Sequence, residues 1–301
     1  MQLDKTTIAV RERSWLDTLD LSLHVLRAYA WPLLVTAAVG IVPLLIVNHL
    51  LVGWMIAETD NWAGIPFRYA WHMSLQVFLQ AQLASVVATS YLGQAVFEER
   101  PSFRKTLWDV ARLLPRIAWC QLLLRGVGPA WLLLLTLERH SDIDPSVEFV
   151  FLPLLALYAV ALRSARPFIN EIALLEGNPM AARHRSVMTL GRRSTMLHGA
   201  NVVELLMRGA SSALIGFLLV LAVYGVGVFV SGVFFGSWRQ GPILVGYGLP
   251  LAEWLVVGYF TVFRFLSYLD LRIRQEGWEL VLRLRAEAKR LTAGPVGTYQ
   301  A

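Results

Sequence analysis

The chain has 301 residues, of which 56% are hydrophobic and only 16% are charged. A soluble domain carries about 25% charged residues, so this composition excludes an ordinary water-facing globule and predicts a protein whose solvent is lipid. The net charge of +6 is informative mainly through the positions of the basic residues along the chain, and no nucleic-acid partner is expected.

The first predicted element is an amphipathic helix over residues 14–31 that lies on the membrane surface. Ser14 and Asp17 have the spacing of a capping box, with Asp in place of the usual Glu or Gln. Apolar residues then recur at helical spacing, with charged residues between them. The apolar run after this helix is too long for the core of a signal peptide, so we expect it to remain as a transmembrane helix.

Six apolar stretches are candidates to cross a hydrocarbon core of about 30 Å. They cover about residues 33–56, 71–97, 117–137, 147–162, 209–230 and 243–266. Between and after them we expect a cytoplasmic segment at 163–208, a cationic amphipathic helix at 269–291 and a tail at 292–301. The sequence therefore predicts an all-α, polytopic membrane helix bundle that forms a single membrane domain over 1–301.

The basic residues determine the predicted orientation. Segments 1–29, 98–116, 163–208 and 264–290 contain 23 of the 27 Lys and Arg residues. In a chain with six spans, all four segments fall on one side of the membrane, and the positive-inside rule makes that side cytoplasmic. We therefore expect both termini in the cytoplasm, because one span more or fewer would scatter the basic segments over both sides.

Two charged residues lie near the middle of predicted spans, where an uncompensated charge is costly. Arg125 is near the middle of the third span and Glu253 is near the middle of the sixth. Their similar depth makes them a candidate intramembrane polar pair. The pair is either a polar site on an ion pathway or a salt bridge that only fixes helix packing. The glutamines of the second span leave a similar choice between a polar cavity and hydrogen bonds between helices.

Motifs for catalysis are absent from the sequence, which contains no P-loop, no H-E-x-x-H zinc motif and no G-x-S-x-G elbow. The single cysteine, Cys120, cannot form an internal disulfide and is expected to be a small buried hydrophobe. We therefore expect no enzyme activity, no catalytic residues, no cofactor and no metal site.

Four motifs resemble those of a known group of membrane proteins: Leu162–Phe168, Glu171–Pro179, Thr189–Ser194 and Phe263–Trp278. Together with the surface helix before the first span, they resemble uncharacterised bacterial six-helix membrane proteins of planctomycete type. These are similar to the glycerophosphoryl diester phosphodiesterase membrane domain group. The resemblance implies a bacterial inner membrane and suggests a MoxR-type ATPase and other envelope proteins as partners. It implies no phosphodiesterase activity, because that name belongs to a separate catalytic domain to which such membrane domains are fused.

Charged residues within these motifs form a candidate cytoplasmic ion-pair network: Arg166, Glu171, Glu176, Arg192 and Asp270. Asp270 is placed to pair with Arg272 or Arg274, or to cross to the long basic segment. The sequence thus predicts a non-catalytic membrane component or scaffold of an envelope-associated assembly, in contact with the lipid bilayer and with other proteins. The alternative is a transporter or lipid-handling permease that uses a polar site near Arg125 and Glu253.

Overall fold

A computed structural model describes residues 14–57, 61–62, 65–98, 101–124, 127–139, 145–182, 184, 187–199, 201–238 and 240–276. Over these residues the regular secondary structure is helical apart from one antiparallel pair of two-residue strands. The predicted all-α class is therefore confirmed for the described part of the chain. Most of the predicted cationic helix at 269–291 and the tail at 292–301 lie outside it.

The first part of the chain contains four helices, one 3₁₀ turn and the strand pair. They are α1 (Trp15–Ala28), α2 (Ala30–Val52), the turn Gly53–Ala57, β1 (Asn61–Trp62), β2 (Ile65–Pro66), α3 (Phe67–Ala84) and α4 (Val86–Phe97). The predicted capping box of α1 is confirmed. The Ser14 hydroxyl accepts the backbone N–H of Asp17 at 3.1 Å, and the Asp17 carboxylate accepts the N–H of Ser14 at 3.3 Å.

The second part contains seven helices and three π-helical turns. They are α5 (Phe103–Trp119), the turn Cys120–Leu124, α6 (Val127–Arg139), α7 (Pro145–Ala165), α8 (Ile169–Glu171), the turn Ile172–Glu176, α9 (Leu190–Gly199), α10 (Val202–Phe235), the turn Leu244–Gly248 and α11 (Leu249–Glu276). Because a π-helical turn shifts the hydrogen-bond register, each of these turns redirects the side chains that follow it.

Five helical segments are long and apolar enough to cross a membrane: Ala30–Ala57, Phe67–Val96, Val147–Ala165, Val202–Phe235 and Leu244–Glu276. They correspond to five of the six predicted spans. The predicted span at 117–137 is not among them, because its apolar helix extends only over Gly128–Leu137. The turn Cys120–Leu124 separates that helix from α5, whose exposed and buried faces differ strongly in polarity. The number of six spans is therefore not established by helix length.

Helices α3, α4 and α11 form the centre of the bundle, whereas α2 and α10 lie at its periphery. The peripheral helices expose leucine, valine and phenylalanine side chains, which is the surface that a bilayer favours. Their contact with the centre uses small residues. A methyl group added at Gly40 of α2 would lie 2.0 Å from the carbonyl oxygen of Ala84, so only glycine permits this approach.

The two ends of the bundle are named here after residues of the central helices. Arg68 lies in the first turn of α3 at one end of the bundle, and Glu98 directly follows α4 at the other end. Helix α11 runs in the same direction, since the Tyr69 hydroxyl donates to the carbonyl oxygen of Gly246 at 3.1 Å near the start of both segments. In the orientation predicted from the sequence, the Glu98 end is the cytoplasmic end.

Candidate functional site

Irregular backbone gathers at one level between the two ends of the bundle. Ser85 separates α3 from α4, Cys120–Leu124 follows α5, and a turn that includes Pro167 separates α7 from α8. Hydrogen bonds join the three places. The Gln121 side-chain amide donates to Asn170 Oδ1 at 2.5 Å, and the Asn170 amide donates to the carbonyl oxygen of Gln82 at 2.7 Å. Ser85, Gln121 and Asn170 are buried, and in a membrane non-helical backbone is tolerated where protein buries it.

Arg264 of α11 is the cation at this level. Its Nε donates to Glu171 Oε1 at 2.6 Å, and its Nη1 donates to Gln82 Oε1 at 2.7 Å. Its Nη2 donates to the hydroxyls of Ser85 at 3.0 Å and Thr89 at 3.2 Å. We call these residues, together with Asn170 and Gln121, the Arg264 cluster. The cluster joins α11 to the other two central helices, α3 and α4, and to α8.

The ion pair of the Arg264 cluster is enclosed by protein. Glu171 is fully buried and only 9% of Arg264 is exposed. Burying two charges is costly, and their attraction compensates only when hydrogen bonds satisfy the remaining groups. Arg264 meets this condition with four hydrogen bonds, whereas Glu171 Oε2 has no hydrogen-bond partner in the described part of the chain. Removing either charge would leave the other one buried without compensation.

A second buried carboxylate, Glu253 of α11, lies closer to the Arg68 end. Ser74 Oγ makes a short hydrogen bond to Glu253 Oε1. Glu253 Oε2 has no hydrogen-bond partner among the described residues, and the side chain is buried. We call Glu253 and Ser74 the Glu253 site. It differs from the Arg264 cluster in having no described cation within ion-pair distance of its carboxylate.

The glutamines of the second predicted span bond to neighbouring helices. The Gln80 amide donates to Gln76 Oε1 at 2.9 Å and to Asn48 Oδ1 of α2 at 2.8 Å. Trp131 of α6 also donates to Gln76 Oε1, at 3.1 Å. These contacts correspond to the predicted alternative in which glutamines hold helices together through hydrogen bonds.

A network of charges closes the Glu98 end. Glu176 accepts hydrogen bonds from Arg193 at 2.6 and 2.9 Å and from the Tyr268 hydroxyl at 2.7 Å. Arg193 also pairs with Glu276, which Arg272 binds at 2.8 Å. Burial acts to raise the pKa of Glu176, but the hydrogen bonds from Arg193 and Tyr268 and the charge of Arg272 outweigh it, so this pKa lies below its usual range. The network ties α9 and the turn Ile172–Glu176 to α11.

The structure distributes the residues of the predicted ion-pair network over different places. Glu171 belongs to the Arg264 cluster, and Glu176 pairs with Arg193, the residue after the predicted Arg192. Asp270 binds Arg274 at 2.7 Å, one of the two pairings expected for it. Arg166 and Arg192 are exposed, in the turn after α7 and on α9.

The predicted pair of Arg125 and Glu253 is described only in part. Glu253 is buried in α11 as expected for an intramembrane residue, whereas Arg125 lies outside the described residues. The pairing of these two residues therefore stays a prediction.

Part of the predicted cytoplasmic segment 163–208 is buried in the bundle. Phe168–Ala173 is buried throughout, and Leu175 is the nearest side chain to Gly93 of α4. Arg163 donates to the carbonyl oxygen of Phe78 at 2.8 Å, well within α3. This placement was not expected, because a stretch with seven basic residues was assigned to one surface as a unit.

Arg264 is the residue that the sequence analysis missed. It lies inside the predicted span 243–266, where a charge is expensive, but it was counted with the cytoplasmic basic residues that follow. Its position within a span was the available signal. The identity of its partners was not readable, because Gln82 and Glu171 are remote from it in sequence.

Comparison of the chain with protein-family models, with curated proteins and with solved structures gives no match. Its function must therefore be inferred from its buried polar groups and its surfaces.

Proposed function

We propose that the protein is a six-span integral membrane protein that acts as a non-catalytic membrane component or scaffold. The observation that carries this proposal is the Arg264 cluster, in which an enclosed cation holds α3, α4 and α8 by four hydrogen bonds. A substrate site needs groups that exchange partners, whereas these groups are paired with one another. A centre of this kind fixes helix positions, which suits a protein that presents constant surfaces to other components.

Contacts at successive levels support a sixth crossing by α5 and α6. Thr106 bonds to Gln94 at 3.2 Å near the Glu98 end, and Trp131 bonds to Gln76 further along. At the Arg68 end, Arg68 donates to the carbonyl oxygen of Leu137 at 3.5 Å. The chain from α5 to α6 therefore follows α3 and α4 from end to end in the opposite direction. If α3 and α4 cross a bilayer, this segment crosses it as well.

An even number of crossings agrees with the charge distribution. It places the four basic segments on the Glu98 side, which the positive-inside rule makes cytoplasmic, and it puts both termini on that side. Reporter fusions test this arrangement. A green fluorescent protein fused to the C-terminus should fluoresce, and alkaline phosphatase inserted at 140–144 should be active. Alkaline phosphatase activity at the C-terminus would instead require an odd number of crossings.

A basic surface at the Glu98 end supports the scaffold role. On α5, Arg104 and Arg112 are exposed beside the exposed apolar residues Trp108 and Leu114. Cationic and apolar groups side by side suit a membrane surface with anionic lipids or an acidic protein surface. A MoxR-type ATPase is a candidate partner through the resemblance described above.

Native co-purification tests the scaffold proposal. The protein is extracted from bacterial inner membranes in a gentle detergent, and mass spectrometry identifies the proteins and lipids that accompany it. We expect defined protein partners whose recovery is reduced when Arg104 and Arg112 are both replaced by Gln, with Arg208→Gln as the matched control away from α5. If the protein purifies alone and cross-links to nothing, the scaffold proposal fails.

A transporter or lipid-handling permease is the second candidate, and the Glu253 site favours it. A carboxylate that keeps one oxygen without a described partner inside a spanning helix is typical of ion and proton pathways. Transfer of fluorescent phospholipids across the bilayer of proteoliposomes tests the lipid-handling form. Loss of transfer in Glu253→Gln, at unchanged expression and folding, would favour this candidate, and equal transfer with empty liposomes would remove it.

A further inference from the structure

Glu253 and Glu171 are two buried glutamates of the same bundle with opposite electrostatic surroundings. Glu171 has Arg264 Nε at 2.6 Å from its carboxylate, so its negative charge is compensated. Among the described residues, Glu253 receives one hydrogen bond, from the neutral hydroxyl of Ser74. An uncompensated carboxylate at such a depth costs several kcal/mol or more, whereas a neutral carboxylic acid costs far less.

The single hydrogen bond of Glu253 fits a neutral carboxylic acid. Ser74 Oγ donates to Oε1, so in the neutral acid Oε1 is a carbonyl oxygen that accepts this bond, while Oε2 carries the proton. A neutral hydroxyl without a partner costs far less than a charged carboxylate oxygen without one. The observed arrangement, with one oxygen bonded and the other without a described partner, is therefore stable when the group is protonated.

We propose that Glu253 is a proton-binding site, a carboxylic acid in the resting protein that exchanges its proton with solution at the Arg68 end. Release leaves a carboxylate at Glu253 and passes the proton to water, and rebinding restores the neutral acid. This inference goes beyond the scaffold role, and it holds whether or not the protein also transports a solute.

The titratable groups around Glu253 do not include a described cation that would hold its charge. Tyr69 of α3 lies close enough to Glu253 for the two groups to interact electrostatically, and Tyr224 and Tyr247 in turn act on Tyr69. Arg125, the partner predicted from the sequence, lies outside the described residues. His49 of α2 stacks on the Tyr247 ring rather than on the carboxylate. Except for Ser74, the described surroundings are largely apolar core, with Met73 and Trp254 among the buried side chains at this level.

A proton fits the Glu253 site better than a metal cation. A hard cation takes about six oxygen ligands, whereas the described residues offer the carboxylate and one hydroxyl. No group of three or more His, Cys, Asp or Glu side chains is placed to hold a metal in the described part of the chain. A proton needs only one oxygen of the carboxylate.

The backbone next to Glu253 indicates the route by which its proton would reach solution at the Arg68 end. Ser74 lies six residues after Arg68 on α3, about 9 Å along the helix axis. The π-helical turn Leu244–Gly248, directly before α11, lies between Glu253 and the Arg68 end. The Tyr69 hydroxyl donates to the carbonyl oxygen of Gly246 in this turn. Because a π-helical turn interrupts the regular hydrogen-bond pattern of the helix, we expect a transient opening at this turn to admit water.

Labelling with a hydrophobic carbodiimide tests the proposal, because this reagent attacks protonated carboxyl groups in membranes. The full-length protein in inner-membrane vesicles is labelled over a range of pH, and mass spectrometry of its peptides locates the adducts. We expect an adduct on Glu253 whose yield falls about tenfold for each pH unit above its midpoint. Glu171, the matched control beside Arg264, should remain unlabelled. Because this measurement uses the wild-type protein, it does not depend on a variant that folds.

Two variants and one competition sharpen the test. Glu253→Gln should remove the adduct together with the infrared carbonyl band of a protonated acid. Ser74→Ala should move the midpoint of labelling to higher pH, because the carboxylate then loses its hydrogen bond. Absence of the adduct at every pH, or labelling of Glu171 in preference to Glu253, would overturn the proposal. Protection by sodium at constant pH and ionic strength would also overturn it, in favour of a cation site.

Discussion

Replacing Arg264 with glutamine should be the most destabilising single polar substitution in the described part of the chain. The change removes the guanidinium that donates to Glu171, Gln82, Ser85 and Thr89. Glutamine is shorter and neutral, so Glu171 would remain fully buried without a cation. Glu171 of α8 and Ser85 between α3 and α4 would lose the side chain that joins them.

The expected magnitude follows from the burial of the pair. Breaking a buried ion pair by removing one partner costs about 3–5 kcal/mol, because the remaining charge is left without compensation. For a chain of this size, that loss lowers the melting temperature by roughly 10 °C. The double variant Glu171→Gln with Arg264→Gln should be more stable than the two single losses added together, with a coupling energy of about 1–3 kcal/mol.

The single cysteine provides the assay. Cys120 is buried and directly precedes Gln121 of the Arg264 cluster, so a thiol-reactive fluorogenic dye reports when this region opens on heating in detergent. Arg208→Gln is the matched control. Its pair with Glu204 at 2.5 Å is partly exposed and joins residues four apart on α10, so its loss should cost about 0.5 kcal/mol or less.

Equal melting temperatures for Arg264→Gln and Arg208→Gln would refute this reasoning. The Arg264 cluster would then not stabilise the bundle, and the main support for the scaffold proposal would be lost. A double variant that is as unstable as the sum of its single variants would show that Arg264 and Glu171 act independently.

Two further predictions concern helix packing and pH. Gly209→Val should lower the melting temperature, because the added Cβ alone would lie 2.0 Å from Ser164 Oγ. Gly225→Val on the same helix is the control, since a Cβ there meets no atom within 4 Å, and it should melt like wild type. Equal effects of the two changes would contradict the packing of α10 on α7. The folded-state pKa of Glu176 is depressed, so its stabilisation is present above its ordinary pKa of about 4.3 and is lost as pH falls through the lower folded value. Thermal melts from neutral pH to about pH 3 should therefore show a smaller acid-induced loss in Glu176→Gln than in wild type, and parallel curves would contradict this.

The all-helical class with long apolar helices could be predicted from the sequence, because it depends on the hydropathy summed over consecutive residues of each segment. A segment crosses a bilayer when it has enough consecutive apolar residues, and five of the six predicted spans coincide with such helices. The capping box of α1 and the pairing of Asp270 with Arg274 were also predictable, because their partners lie three or four residues apart.

The stretch 117–137 and the segment after residue 162 show what local patterns cannot give. Apolar composition does not reveal that a π-helical turn follows Trp119, or that residues 168–173 pack inside the bundle. In both cases a side-chain hydrogen bond to another part of the chain holds the segment in place, such as the one from Gln121 to Asn170. A pattern read along one segment contains no information about those partners.

The sequence by itself determined a helical protein whose helices are long and apolar enough to cross a membrane and whose basic residues are gathered in four segments. Only the tertiary structure decided which charges are compensated. Arg264 pairs with Glu171, 93 positions away in the chain, whereas among the described residues Glu253 in the same helix bonds only to the hydroxyl of Ser74. The physical reason is that hydropathy adds up locally, while the cost of a buried charge depends on what lies within about 4 Å of it.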